Sequence, residues 1–434
     1  MAEDDRRLDS RAQTATSALI ASAPSAASKG RSRAYVKRRT VGDRAAENRL
    51  VSGDNLRVLD WLGPDFAGRF RCVYLDPPFN TGRTFAEYDD ARSPAEWKEF
   101  LRRRVQAIVP LMARDGALFL EIDDSELGAA IAVCDDVFGR RARVSTITVV
   151  RSASTGHKAK NRGPVNVTEF ILVYEREPGA WKYRPERRVR SGYDPAYATY
   201  LVNRDAPESE WRFESLGRAV ARDAGHASVA LAKGAMGAVG WAERKAAFAL
   251  AHKESVVRFA QPRFESVSHA AQRAIRASLE DPTRVMRLAR PGFPDLILRG
   301  GNRVLLLASK VMMTKDGPRL VEPLTNLWDD VPFQGIAREG GVTFARNKKP
   351  ERLLERILAL ATDPGDWVLD PFLGSGTTAA VAEKMGRRWV GIEETDVMWS
   401  LAVPRLERVI RGEDTTGVTR ARDHRGGGGF SVYS

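Results

Sequence analysis

Cysteine is nearly missing from this 434-residue chain; only Cys72 and Cys134 occur, far apart and each inside an apolar run. That argues against a disulfide framework and a cysteine-based zinc site, and both thiols read as reduced core residues. The five histidines are scattered without paired ligand spacing, so no structural metal is expected. Long hydrophobic runs are missing as well. None approaches the ~18–20 apolar residues that cross a bilayer, so no membrane association is expected. The opening MAEDDRRLDS is acidic where a targeting peptide is basic or free of acid. Internal repeats are not apparent. The expectation is a cytoplasmic protein.

What is present in excess is positive charge. Lys and Arg number 69 against 56 Asp and Glu, giving +13 and a pI near 9.9. Such a field draws in polyanions, nucleic acid foremost. An arginine-rich composition alone produces the same balance, so charge by itself leaves the partner open. A length of 434 residues with 43% hydrophobic content suits a globular protein of two domains.

Residues 1–46, rich in Ala, Ser and Arg, read as a disordered basic arm, and 412–434, with RGGGG, as a flexible tail. Between them the pattern is α/β. RCVYLD (71–76), ALFLEID (117–123), STITVV (145–150) and EFILVYE (169–175) are strand-like. Ser93-Pro94-Ala95-Glu96 is a capping box, opening a helix with Trp97, Leu101, Val105 and Ile108 on one face. The alternation predicts a doubly wound, mainly parallel sheet. Periodicity weakens over 178–325, which is taken as a separate, irregular module with a hairpin turning at Gly300-Gly301. Regular α/β structure resumes over 326–411, completing the domain begun at 47–177.

Two loops carry chemistry. In YLDPPFNTG (74–82) a strand stops at Asp76, and Pro77 and Pro78 have no N–H to continue it. The result is a stiff rim of acceptors beside the aromatic Phe79. It suits a flat ring bearing an amino group: Asp76 and the Pro77 carbonyl accept the two N–H hydrogens while Phe79 stacks. The bland alternative is a proline-rich turn capped by Asp76. In DPFLGSGTT (370–378) a strand leads through Gly374 and Gly376 to a helix start, a shape that admits close approach to backbone N–H groups. No Lys follows Gly376, which disfavours nucleoside triphosphates. The next strand ends at Glu393, where a doubly wound fold places an acid against ribose. A tight turn with no ligand needs the same glycines.

Together these loops resemble the amino-methylating DNA methyltransferases, most closely the modification subunits of type III restriction systems and their solitary relatives. LVSGDN (50–55), LFLEIDDSE, TEFILVYER (168–176), LWDDV (327–331), RNKKPERLLERI (346–357) and RRWVGIE (387–393) agree with that likeness. The target loop precedes the cofactor loop, as in the β-type permutation. The resemblance implies a Rossmann-like S-adenosylmethionine-dependent fold with a target-recognition insert at 178–325. It implies that Asp76, Pro77, Pro78 and Phe79 grip a flipped-out base. Gly374, Ser375, Gly376 and Thr377, with Asp370 and Phe372, would cradle the methionine part of S-adenosylmethionine. Glu393 would bind its ribose and Asp54 with Asn55 would lie near its adenine. Lys349 and Pro350 match the segment preceding the cofactor helix. Asp at position 76, where cytosine-N4 relatives commonly carry Ser, favours adenine N6. Phe79 in place of the more usual Tyr keeps the stacking face.

The expected partner is double-stranded DNA. Arg151, His157, Lys158, Lys160 and Arg162, in a basic loop, and Lys182, Arg184, Arg187, Arg188 and Arg190 are candidate phosphate contacts. Solvated charge is the alternative for any one of them. Family habit implies a homodimer, with restriction or helicase functions in another subunit. Competing readings are cytosine-N4, RNA or protein amino-methylation, and a non-catalytic recognition subunit in a restriction or defence complex. The expected setting is bacterial and nucleoid-associated.

Overall fold

A computed structural model of the chain describes residues 35–80, 92–152, 163–314, 317–343 and 348–434. Contacts divide it into two units, the described residues up to Tyr183 with Asn326–Ser434, and Arg184–Thr325.

Among the described residues the largest sheet of the first unit has ten strands. They are β1 (Lys37–Gly42), β2 (Arg49–Ser52), β3 (Phe70–Leu75), β4 (Met112–Ile122), β5 (Arg143–Val150), β6 (Thr168–Glu175), β7 (Leu327–Trp328), β8 (Trp367–Asp370), β9 (Arg388–Glu393) and β10 (Gly429–Tyr433). Their spatial order is β1-β10-β2-β9-β8-β3-β4-β6-β5-β7. Neighbours are parallel except where β10 meets β1 and where β6 meets β4 and β5. This is the doubly wound, mainly parallel α/β sheet. Its central strands are buried on both faces and therefore read as continuous apolar runs such as CVYL and WVL.

The helices follow their caps. Asp54 accepts from the Arg57 N–H to open α1 (Asn55–Phe66). Ser93 and Glu96 close a reciprocal box on α2 (Pro94–Ile108), whose Trp97, Leu101, Val105 and Ile108 are buried. Among the described residues five more follow in this unit, α3 (Leu127–Phe138), α4 (Glu351–Ala361), α5 (Thr377–Lys384), α6 (Val403–Ile410) and the short α7 (Thr419–Arg422). From β3 the chain passes through α2 to β4 on one side, and from β8 through α5 to β9 on the other. The strand order therefore reverses between β3 and β8, and a crevice opens beyond their carboxyl ends, where doubly wound sheets bind ligands.

Three expectations need correction. Residues 35–46 are not an extended arm, nor 412–434 a loose tail: β1 pairs antiparallel with β10, and Phe430 and Val432 are fully buried. The glycine run reads as a linker but is a packing device. A side chain on Gly429 would strike the Asp43 backbone at 2.5 Å, and one on Gly428 would strike Glu383. Nor is the inserted segment irregular. Arg184–Thr325 folds into a six-stranded and a three-stranded antiparallel sheet, with helices at Leu216–Asp223, Val229–Ala251 and His269–Glu280. Its strands are short and pair at long range, Tyr200 with both Glu214 and Val256, so no sequence window spans a period. The Gly300-Gly301 hairpin is present. The second unit starts at Arg184, after the point where periodicity fades, so Lys182 belongs to the first.

Candidate active site

The strand Phe70–Leu75 delivers Asp76 to the carboxyl edge of the sheet, and its register with β8 fixes what stands beside it. Leu369 pairs with Val73, so Asp370 and the glycine loop leave the same edge one strand away. The two loops share one crevice. The target loop is pinned from three sides. The Trp97 indole N–H donates to the Pro78 carbonyl at 2.8 Å, the Ser125 hydroxyl to the Phe79 carbonyl at 3.1 Å, and the Asn80 amide to Glu126 at 2.7 Å. Asn80 accepts the Arg92 N–H and sits at φ 57°. The Pro78 carbonyl, next to the Pro77 carbonyl expected to face a guest, is thus committed to Trp97. Thr81 and Gly82 lie outside the described residues.

Asp76 does not stand alone. The Lys349 ammonium lies 3.2 Å from Asp76, 2.9 Å from Glu121 and 3.2 Å from Glu169, and 4.9 Å from the Phe79 ring centroid. Glu169 is also bound by Arg151, and Glu121 by the Tyr74 hydroxyl. The Glu121 side chain is 0% exposed and that of Asp76 19%. Burial pushes Glu121 up to about 8, whereas Lys349 and Arg151 outweigh burial at Glu169 and hold it at about 2. Burial also raises Asp76, opposed by Lys349. At Lys349 burial disfavours the charge, but Asp76, Glu121 and Glu169 together lift it above the usual lysine range.

The glycine loop is built for a ligand's approach. Gly374 has φ 53° and Gly376 φ 81°, and a Cβ on Gly374 would meet nothing within 4 Å, so the turn faces open space. The Gly374 N–H donates to Glu393 at 2.8 Å, which ties the turn to the end of β9. Asp370 accepts from the Phe372 N–H, and burial, with Asp76 and Glu393 adding repulsion, lifts its carboxyl to about 7. Ser375 and Thr377 are buried, the Thr377 hydroxyl accepting from Arg405 at 2.7 Å, so their side chains brace the loop from behind.

Asn55 acts similarly: its amide nitrogen donates to the Pro371 carbonyl at 2.9 Å and its oxygen accepts from Arg104 at 2.6 Å. Arg104 also reaches Asp54 at 3.2 Å and lies over Phe100, itself 6.0 Å from Phe372. Pro350 precedes the first turn of α4 as its cap. Three carboxylates hold the Lys349 ammonium beside Asp76.

Among the basic candidates, Arg151 joins the carboxylate cluster through Glu169. Arg188 and Arg190 both bind Glu322, and Arg187 donates to the Ser309 carbonyl, so these three carry structural contacts. Lys182 is exposed and Arg184 half-buried. His157, Lys158, Lys160 and Arg162 lie outside the described residues. No group of three or more metal-capable side chains occurs among the described residues, nor any helix long and apolar enough to cross a membrane.

The family profile described as DNA methylase, of the N6/N4 methyltransferase type, matches residues 70–233 and 243–403. The chain belongs to this DNA methylase family. It is 29% identical over 439 residues to the probable type III restriction-modification enzyme HindVI Mod subunit of Haemophilus influenzae, covering 92% of this chain and 55% of that protein. It is 24% identical to the type II methyltransferase M.EcaI of Enterobacter cloacae, over 80% of this chain and 67% of that one. The chain thus spans little more than half the length of the HindVI subunit. Among solved structures it is similar to TTHA0409 of Thermus thermophilus, a putative DNA modification methylase complexed with S-adenosyl-L-methionine. There the identity is 16% and the TM-score 0.39, over 83% of this chain and 95% of that chain.

Several residues of this family member's site escaped the sequence reading: Glu121, Glu169, Arg104 and Arg405. Glu121 and Glu169 carried a signal. Each is a single acid at the end of or within an apolar strand (ALFLEI, TEFILVY), a placement too costly without a buried cation to meet it. Arg104 on the buried face of α2 carried the same mark. Arg405 did not, since its charge partners come from distant helices.

Proposed function

We propose that this DNA methylase family member is a sequence-specific DNA methyltransferase acting on N6 of adenine, with S-adenosylmethionine as methyl donor. The observation that carries the reading is the shared crevice: the acceptor rim of Asp76 and Pro77 and the open turn at Gly374 leave adjacent parallel strands at one edge. The residues fit the donor. The turn at Gly374–Gly376, with Asp370 and Phe372 nearby, would admit its methionine part, Glu393 at the end of β9 would take the ribose hydroxyls, and Asp54 with Asn55 would border the adenine. When bound, the donor supplies a sulfonium-activated methyl carbon. Asp76 and the Pro77 carbonyl then hold the two amine hydrogens, turning the nitrogen lone pair out of conjugation, and Phe79 stacks on the base. The amine nitrogen would gain the methyl carbon as that carbon's bond to the donor's sulfur breaks, the bonding pair staying on a neutral thioether. It would then release one proton, for which the Asp76 carboxylate is an acceptor on the rim. Taking the base out of the duplex costs a few kcal/mol, which stacking and the amine contacts offset.

Arg184–Thr325 holds 24 Lys and Arg against 15 Asp and Glu, the larger part of the excess charge, and this supports a role in DNA recognition. The likeness to type III Mod subunits supports association with a restriction subunit, and homodimerisation is proposed on the same ground.

The test is methyl incorporation into unmodified plasmid DNA, followed by nucleoside mass spectrometry. Wild type yields 6-methyladenine and Asp76→Ala lowers incorporation at least about 1,000-fold. Appearance of 4-methylcytosine would reassign the base. Undiminished incorporation by Asp76→Ala would remove the catalytic assignment.

A further inference from the structure

We propose that Lys349 is a positioning residue of the target-base carboxylate, clamped by Glu121 and Glu169 so that its ammonium fixes Asp76 toward the amine. The inference rests on the functional reading above and deepens it. The geometry is a buried ammonium with three acceptors at 2.9–3.2 Å, each from a different element. Asp76 follows β3, Glu121 is the penultimate residue of β4 and Glu169 the second of β6, while Lys349 stands just before Pro350, the cap of α4. A lysine has three donor hydrogens and here finds three carboxylates, so its direction is fully determined. Rotation of Asp76 is correspondingly restrained.

All the charged and titratable groups around the pair count. Asp76, Glu121 and Glu169 supply three negative charges when ionised; Lys349 and Arg151 supply two positive ones. Tyr74 donates to Glu121, and Asp370 faces Asp76 from β8. Burial lifts the Glu121 carboxyl to about 8, with Glu169 and Asp76 adding repulsion. Burial raises the Asp76 carboxyl, and the Lys349 ammonium beside it opposes that rise by favouring the charged form. An ionised Asp76 accepts both hydrogen bonds and proton; a protonated one presents a donor to the amine and repels it.

The experiment uses the full chain, unmodified plasmid DNA and two readouts. In Lys349→Met, kcat falls about 100-fold, as expected when a reacting group loses its aim. The acidic limb of the kcat–pH profile moves at least about one pH unit upward, because the cation favouring the Asp76 charge is gone. The calorimetric Kd for S-adenosylmethionine stays within about threefold, since the residue lies on the target side. A tenfold weaker Kd with kcat retained at saturation would make Lys349 a cofactor ligand and overturn the proposal, as would an unmoved pH limb. The double variant Lys349→Gln/Glu169→Gln removes one charge of each sign and guards against failure to fold. It shows the same kcat loss; recovery to the wild-type rate would mean that Lys349 only neutralises Glu169, and the proposal falls. If Asp76→Ala retains activity, the functional reading itself fails. If Asp76→Ala is inactive while Lys349→Met matches wild type, only this inference fails.

Discussion

Replacing Trp97 by Phe separates the stiffness of the target loop from its chemistry. Trp97 is fully buried in α2, and its indole N–H holds the Pro78 carbonyl at 2.8 Å. Phenylalanine keeps an aromatic ring there but has no donor. The lost hydrogen bond costs ~1 kcal/mol, since Pro78 is only half-buried and water can partly replace the indole. The smaller ring leaves roughly 30–40 Å³ unfilled, which at ~24 cal/mol per Å³ adds about 1 kcal/mol. Urea unfolding should therefore show a loss of ~2 kcal/mol. The kinetic effect differs in kind. With Pro78 released, Asp76 and the Pro77 carbonyl wander relative to the amine, and kcat falls about 10- to 100-fold. Affinity for S-adenosylmethionine, whose proposed cradle is fixed by Asn55, Arg405 and Glu393, stays unchanged. A variant that loses ~2 kcal/mol yet keeps wild-type kcat would refute the link between the pinned loop and the reaction. A variant that loses cofactor affinity would show that the two loops move together.

Asp370 gives a pH signature: the folded chain keeps its proton up to about pH 7, while an unfolded chain releases it near pH 4. Between those values the folded state binds more protons, so stability falls as pH rises through the window. Asp370→Asn removes that burden, and its stability relative to wild type improves by on the order of 3 kcal/mol from about pH 4.5 to 8, read by urea unfolding. A pH-independent difference would contradict the buried, raised carboxyl. Lys384→Met tests the charge network behind the glycine loop, where Lys384 binds Glu351 at 2.7 Å and Asp414 at 2.6 Å, all within 1% exposure. It leaves Glu351 to Arg405 and strips Asp414 of its lysine, and destabilises by about 3–5 kcal/mol in calorimetry; a loss below about 1 kcal/mol would argue that water reaches the network.

By itself the sequence determined the strands of the central sheet, the capped helices and both loops that meet in the crevice. These are local statements: a continuous apolar run, a Ser-Pro-x-Glu start or a pair of prolines acts within a few residues. Even the partnership of the two loops was legible, because family motifs brought them together before any contact was known. What only the tertiary structure decided were the features made by distant residues. The edge pair β1–β10 joins the two ends of the described chain, as Lys37 facing Tyr433 illustrates, and a glycine run gives no local hint of it. The short strands of Arg184–Thr325 take their faces from partners rather than from their own period. Lys349 immediately precedes Pro350 and α4 in sequence, yet three carboxylates, Asp76 after β3 with Glu121 and Glu169 on β4 and β6, draw its ammonium beside Asp76. A buried charge settles where its counter-charges converge, and that convergence is a property of the folded chain alone.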